Sequence, residues 1–206
     1  MNTLIESILN SNPIEIIGIV LSLIYLYFEI KAKVLMWFFG IVSSAIMGIV
    51  FFQSGFYADM GLMLYYVIIS IYGWIHWKKG LNEKQLPIIH ITKKQALAAV
   101  LLLGVGYLVL LQILLHIPGI IGLKDSTFPY VDALTVAASM VATWMLSQKI
   151  LEQWHIWIVV NIISTIMFAM KGLNYTTVLY LIYTIGSFLG YISWMKSYRA
   201  QTKTTC

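Results

Sequence analysis

Between residues 154 and 168 the chain carries Trp154, Trp157, Asn161, Ser164 and Phe168, at steps of three and four residues. At about 100 degrees per residue, a helix brings all five onto one face, within about 80 degrees of arc. Two indoles, an amide, a hydroxyl and a phenyl then form a single stripe, and its chemistry is that of binding. Indole faces stack on an aromatic ring, more strongly on a cationic one, and an asparagine offers donor and acceptor to a carboxamide or a ribose hydroxyl. The stripe predicts a site for an uncharged or delocalised aromatic ligand. Trp154, near the end of its helix, fits an interfacial belt and a gate equally. Trp157, one turn deeper, points to the ligand. Asn161, near mid-helix, points the same way, although an amide there also suits a bond joining two helices.

An enzyme would need a positioned acid, base, nucleophile or set of metal ligands. The acidic and basic residues nearest the apolar stretches are Glu15, Glu29, Asp59, Asp132, Glu152 and Lys171, and all stand at stretch ends, as do His76, His116 and His155. Ser164 has no histidine and carboxylate at a convincing spacing, and no nucleotide-binding loop is present to drive work with ATP. No enzyme activity, metal or cofactor is expected. The chain is predicted to be an equilibrating carrier, with a membrane-embedded ligand sensor as the competing class.

The elements that must hold such a stripe follow from composition. Sixty per cent of the residues are hydrophobic and 10% are charged. The apolar runs suffice for a hydrocarbon core that takes roughly 20 residues per helix. An all-α membrane protein with seven transmembrane helices is predicted, near 14–30, 35–53, 57–76, 95–117, 130–147, 154–170 and 174–195. Eleven of the 13 Lys and Arg residues fall on the side reached after the odd-numbered spans, and only Lys124 and Lys171 on the other. The positive-inside rule then predicts the amino terminus outside and the carboxyl terminus in the cytoplasm. The basic pI of about 9.2 belongs to that cytoplasmic face, so the expected surroundings are lipid bilayer and not nucleic acid. The lone cysteine, Cys206, gives no disulfide framework, and residues 1–13 lack the basic start of a signal peptide.

Sliding the chain along itself by 117 positions lays 14–79 on 131–196 without a gap, with 17 identities in 66 pairs. Trp37 meets Trp154, Gly55 meets Gly172, Tyr66 meets Tyr183, Ser70 meets Ser187, Gly73 meets Gly190 and Trp77 meets Trp194. Apolar composition would match leucines and isoleucines, not tryptophans and glycines over three segments. The expected organisation is a three-helix repeat at 14–79, a linker helix at 95–117 and a second three-helix repeat at 130–196. Such a 3+1+3 parallel repeat encloses a site between bundles that rock to expose it alternately. By register, Ser43 and Ser44 occupy the second span where Asn161 occupies the sixth. Tyr65, Tyr66 and Ser70 stand likewise against Tyr183, Thr184 and Ser187, giving a sugar hydroxyl several partners. Gly104 and Gly106 offer the linker helix a close-packing surface.

The segments Trp37-Phe-Phe-Gly40, Gly48-Ile-Val-Phe-Phe-Gln53, Ile71-Tyr-Gly-Trp74 followed by Trp77, Phe128-Pro-Tyr-Val-Asp132 and Trp154-x-x-Trp157-x-x-x-Asn161 occur in this order. Together they resemble the PnuC family of bacterial vitamin transporters, over about residues 14 to 196. The resemblance implies a fold similar to a full-length SWEET transporter and a homotrimer in the bacterial inner membrane. It implies facilitated diffusion of nicotinamide riboside, trapped by a downstream cytoplasmic kinase that makes no stable contact. It also implies that Trp154, Trp157 and Asn161 belong to the substrate-site motif. Members associated with nicotinamide riboside carry an asparagine where this chain has Ser43 and a glutamine where it has Met63. Relatives move thiamine, riboflavin or deoxynucleosides, and thiamine is also a cationic aromatic. Nicotinamide riboside is the expected cargo and thiamine the alternative. The expected substrate-binding residues are Trp154, Trp157, Asn161, Ser164, Ser43, Ser44, Met63, Tyr66, Tyr183 and Ser187.

Overall fold

The computed structural model describes residues 13–53, 57–83, 86–121, 128–172 and 174–205. Residues 1–12, Gly55, Lys84, Lys124 and Cys206, which entered the sequence reading, lie outside the described residues, as do the side chains of Glu15 and Asp59. Among the described residues seven helices follow one another: α1 (Pro13–Ile30), α2 (Leu35–Gln53), α3 (Tyr57–Glu83), α4 (Lys93–Ile121), α5 (Pro129–Ser147), α6 (Gln153–Met170) and α7 (Asn174–Thr205). Among the described residues, five stretches are long and apolar enough to cross a membrane: Met60–Lys79, Lys93–His116, Pro129–Ser147, Gln153–Met170 and Thr176–Lys203. Ile17–Ile30 and Leu35–Ile49 are shorter apolar helices. Apolar side chains such as Val100, Val105, Val159 and Ile185 are exposed along these helices, as a hydrocarbon solvent permits.

Helices α3 and α7 run beyond their predicted ends at 76 and 195, to Glu83 and Thr205. Hydropathy reads only the apolar part of a helix, whereas backbone hydrogen bonding continues through good helix formers such as those in Tyr198–Lys203.

The chain divides into two compact units, one ending at Leu86 and the other spanning Pro87–Cys206. In the first, α1 packs on α2 and α2 on α3. At its heart Trp37 and Trp77, both fully buried, meet edge to face at 5.5 Å and 88°. The Trp37 ring lies against Gly73, where a Cβ would overlap it. In the second unit α4 packs on α5, α5 on α6 and α6 on α7. Trp154 and Trp194 meet edge to face at 5.7 Å and 84°, and the Trp154 ring lies against Gly190, again where a Cβ would overlap.

The turn before each buried tryptophan also recurs. Ala32 has φ 49° and Lys149 φ 54°, both left-handed. The Ala32 N–H donates to Glu29 and the Lys33 N–H to Phe28, at 2.9 Å each, while the Lys149 and Ile150 N–H groups donate to Leu146 and Met145 at 2.9 and 3.0 Å. This double bond is the Schellman closure of a helix end, usually built with glycine. Two non-glycine residues adopt it 117 positions apart.

Helix α4 rests on α5 at Gly106, whose position for a Cβ is 3.7 Å from Ala137, while Gly104 has no neighbour within 4 Å. Ala99 of α4 joins Val141, Met145 and Ile150 in a buried apolar cluster. The segment before α4 is tied to the α5–α6 turn. The Ile89 N–H donates to the Lys149 carbonyl at 3.1 Å, and the Leu151 N–H to the Ile89 carbonyl at 2.9 Å. Glu152 accepts from the Ile91 N–H at 3.0 Å and sits 2.8 Å from His90 Nδ1.

Candidate functional site

The expected residues fall into two sets, one in each unit. On the α6 face, Trp154, Asn161 and Ser164 are buried and Trp157 is partly so. Helix α7 supplies the partner for the amide: Asn161 Nδ2 donates to Ser187 Oγ at 3.1 Å, and Ser187 Oγ donates to the Tyr183 carbonyl at 2.8 Å. This relay aligns the amide. Ser187 cannot rotate away without losing its own bond, and Asn161 cannot without leaving Ser187 one partner short. Among the described residues no other side-chain hydrogen bond engages Asn161, so its Oδ1 and one Nδ2 hydrogen remain for another molecule. The structure thus brings Asn161, Ser187 and Tyr183 together.

The two tryptophans of the stripe differ. Trp154 is 1% exposed, and its ring is seated between Gly190 and Trp194 just as Trp37 is seated on Gly73 and Trp77. Trp157 is less enclosed, and in its repeat position stands Gly40. The indole Nε1 atoms of both Trp154 and Trp157 are buried with no hydrogen-bond partner among the described residues.

In the first unit, Ser43 Oγ bonds the Gly40 carbonyl at 3.3 Å, which turns this hydroxyl back on its own helix. Ser44 and Ser70 are buried, and the Cβ position of Gly40 is 3.0 Å from Ser70 Oγ. The Met63 Cβ is 3.4 Å from where a Gly48 Cβ would stand, so the thioether side chain starts in close contact with α2. Tyr66 meets Tyr65 at 5.6 Å.

Gln153 escaped the sequence reading. It is 0% exposed, and among the described residues neither its Oε1 nor its Nε2 has a hydrogen-bond partner. A buried amide left so costs roughly 1–3 kcal/mol, and such groups are rare in folded chains. Gln153 precedes Trp157 by four residues and Asn161 by eight, so it extends the stripe on the same face. That spacing was legible; its burial was not, because the residue falls where a helix meets the polar boundary. Gln153, Trp154 and Trp157 together present four buried polar atoms without partners within two turns of helix.

At the other end of α6, Lys171 Nζ is 3.9 Å from Asp132 Oδ1 and lies over the rings of Phe128 and Phe168 at 5.6 and 5.7 Å. Phe168, the last residue of the stripe, meets Tyr180 at 4.9 Å. At the Gln153 end, in the turn outside the spans, burial pushes the Lys149 amine down to about 8.

Comparison with known proteins places this architecture. The profile of the family described as "Nicotinamide mononucleotide transporter" matches residues 12–196. The chain is similar to the nicotinamide riboside transporter PnuC of Escherichia coli (strain K12), 28% identical over 206 residues, covering 90% of this chain and 86% of that one. The nicotinamide riboside transporter PnuC of Neisseria mucosa is 28% identical over 193 residues, covering 87% of this chain and 71% of its own. Among solved structures, "Crystal structure of the Vitamin B3 transporter PnuC" superposes with a TM-score of 0.68 at 27% identity, over 89% of this chain and 80% of that one.

Proposed function

This chain belongs to the nicotinamide mononucleotide transporter family, whose members are membrane transport proteins and not enzymes, and from that membership we propose that it carries nicotinamide riboside by facilitated diffusion with alternating access. The observation that carries the reading is the Asn161 amide, aligned by Ser187 and Tyr183 beside the less enclosed Trp157. An indole face and an open amide suit the cationic pyridinium ring and its carboxamide. The family takes its name from the mononucleotide, but a phosphate calls for arginine or lysine partners, and the stripe from Gln153 to Phe168 has none. The riboside, without that phosphate, fits the stripe.

Thiamine is the second reading, favoured by the first unit. Ser43 and Met63 bring a hydroxyl and a thioether where, by the family resemblance, riboside carriers have amides; here Ser43 bonds its own helix and Met63 starts in close contact with α2. Titrating the intrinsic fluorescence of the purified protein separates the two. Nicotinamide riboside is expected to quench saturably, with the effect lost in Trp157→Phe; saturable quenching by thiamine alone would replace the first cargo with the second. Flux of the quenching ligand into proteoliposomes then distinguishes a carrier from a sensor, which would bind without flux.

The proposed substrate contacts are Trp154, Trp157, Asn161, Ser164, Tyr183 and Ser187 within the second unit, which Gln153 joins, and, within the first unit taken by itself, Ser43, Ser44, Met63 and Tyr66. Replacing Gln153 by methionine, the residue at its repeat position 36, removes an unpartnered buried amide. The variant is expected to melt at a higher temperature than the parent. Its transport at low substrate concentration is expected to fall about fivefold. A stability gain with unchanged transport would take Gln153 out of the site.

The 3+1+3 parallel repeat, similar to a full-length SWEET transporter, is supported by the Schellman turns, tryptophan pairs and tryptophan–glycine seats recurring 117 residues apart. The basic-residue imbalance supports an amino terminus outside and a carboxyl terminus in the cytoplasm of a bacterial inner membrane. A homotrimer, and trapping by a cytoplasmic kinase without stable contact, complete the reading by analogy with the family.

A further inference from the structure

Where α2 and α3 run side by side, a groove of about 440 Å³ opens, lined by Ile41, Ile71, Trp74, Ile75, Lys78 and Lys79. Its walls are apolar, and Ile71 and Ile75 are 45% and 51% exposed, so the groove faces the surroundings of the first unit. Trp74 is braced edge to face by Phe38 at 6.1 Å. Both lysines are exposed and stand at one end of the groove, a turn beyond Trp74 and Ile75. The proposed substrate contacts do not include any of these residues.

We propose that this groove binds an anionic phospholipid, with its phosphate between Lys78 and Lys79 and the start of an acyl chain along Ile41, Ile71 and Ile75. Three features support this occupant. Two adjacent ammonium groups above apolar walls match a molecule whose anion is joined to a hydrocarbon chain, and basic pockets between transmembrane helices are known to take such headgroups. An indole at the polar boundary, as Trp74 provides, is the usual anchor there. The pair is also particular to this unit. The repeat positions of Lys78 and Lys79 are Met195 and Lys196, so the second unit has one cation where the first has two. A protein surface docked in the groove would have to bring acidic groups to both lysines or bury them unpaired, which is costly. A soluble phosphate would leave the apolar walls unused.

The test uses the full-length protein in detergent, with bound lipids counted by native mass spectrometry as dioleoyl phosphatidylglycerol or dioleoyl phosphatidylcholine is added. The wild type is expected to retain phosphatidylglycerol in preference to phosphatidylcholine. Lys78→Gln/Lys79→Gln should lose roughly 30-fold in apparent affinity for it, as expected for two basic residues at an anionic surface. Lys93→Gln/Lys94→Gln, which removes the same charge from an exposed site at the start of α4, should retain it. Equal loss in both double variants would overturn the site in favour of diffuse charge attraction. Displacement of the lipid by millimolar inorganic phosphate would overturn the lipid assignment. A change of oligomeric state in Lys78→Gln/Lys79→Gln, without loss of lipid, would assign the groove to a second copy of this chain.

Discussion

Asn161→Ala is expected to abolish measurable uptake at low substrate concentration while leaving a folded protein. The amide is buried, and alanine leaves two groups short of a partner: Ser187 Oγ loses its donor, and the ligand loses both a donor and an acceptor. Each polar group stranded in this way costs roughly 1–3 kcal/mol. For the ligand that corresponds to a loss of about 5- to 150-fold in affinity for each stranded group, and the donor and acceptor losses multiply. Ser187 still donates to the Tyr183 carbonyl, so α7 keeps its local bond and the melting temperature should fall only slightly. Ser187→Ala is expected to behave as a weaker copy, because the amide survives but is no longer aligned. Binding isotherms of both variants check this order; unchanged affinity in Asn161→Ala would remove the amide from the site.

The second large effect falls on packing. Gly190→Ala is expected to destabilise the chain severely, since its Cβ would overlap the buried Trp154 ring, which is already held edge to face by Trp194. The ring is 1% exposed. Overpacking of this kind costs about 1–3 kcal/mol and occasionally more. The midpoint of thermal unfolding in detergent should drop by several degrees, and the yield of monodisperse protein with it. Gly73→Ala should do the same through Trp37. Adding Trp154→Phe to Gly190→Ala trims the clashing part of the indole and should recover most of the loss in midpoint. Absence of recovery would mean that the glycine serves something other than this contact. The pair of experiments also separates the tryptophans: Trp154 is expected to act first on stability and Trp157 first on ligand binding.

Helix positions were readable because the solvent that selects them is simple. Hydrocarbon demands about 20 apolar residues with every backbone bond closed internally. The boundaries of α2, at 35 and 53, accordingly match the reading residue for residue, and those of α6 and α1 match within one. The tails of α3 and α7 extend beyond the predicted ends because hydropathy is silent about backbone hydrogen bonding past the most apolar run. The stripe on α6 was equally readable, since residue period and helix period are fixed relative to each other. What period cannot tell is which member of a stripe meets another helix. Trp154 and Trp157 are the same residue type three positions apart, yet one is seated on Gly190 and the other is less enclosed.

The amino-acid sequence by itself determined the bilayer as solvent, the seven helices, the recurrence at 117 residues, the absence of charge along the stripe and the family. Each of these depends on composition, or on order along one helix. Only the tertiary structure decided that Asn161 is aligned through Ser187, that Gln153 is buried with no hydrogen-bond partner among the described residues and that Glu152 holds the segment before α4. Those outcomes depend on which atoms of different helices and turns come within about 3 Å of one another, a distance that hydrogen bonds require. Helix-to-helix approach is set by packing of the whole unit, and no local window of sequence contains it.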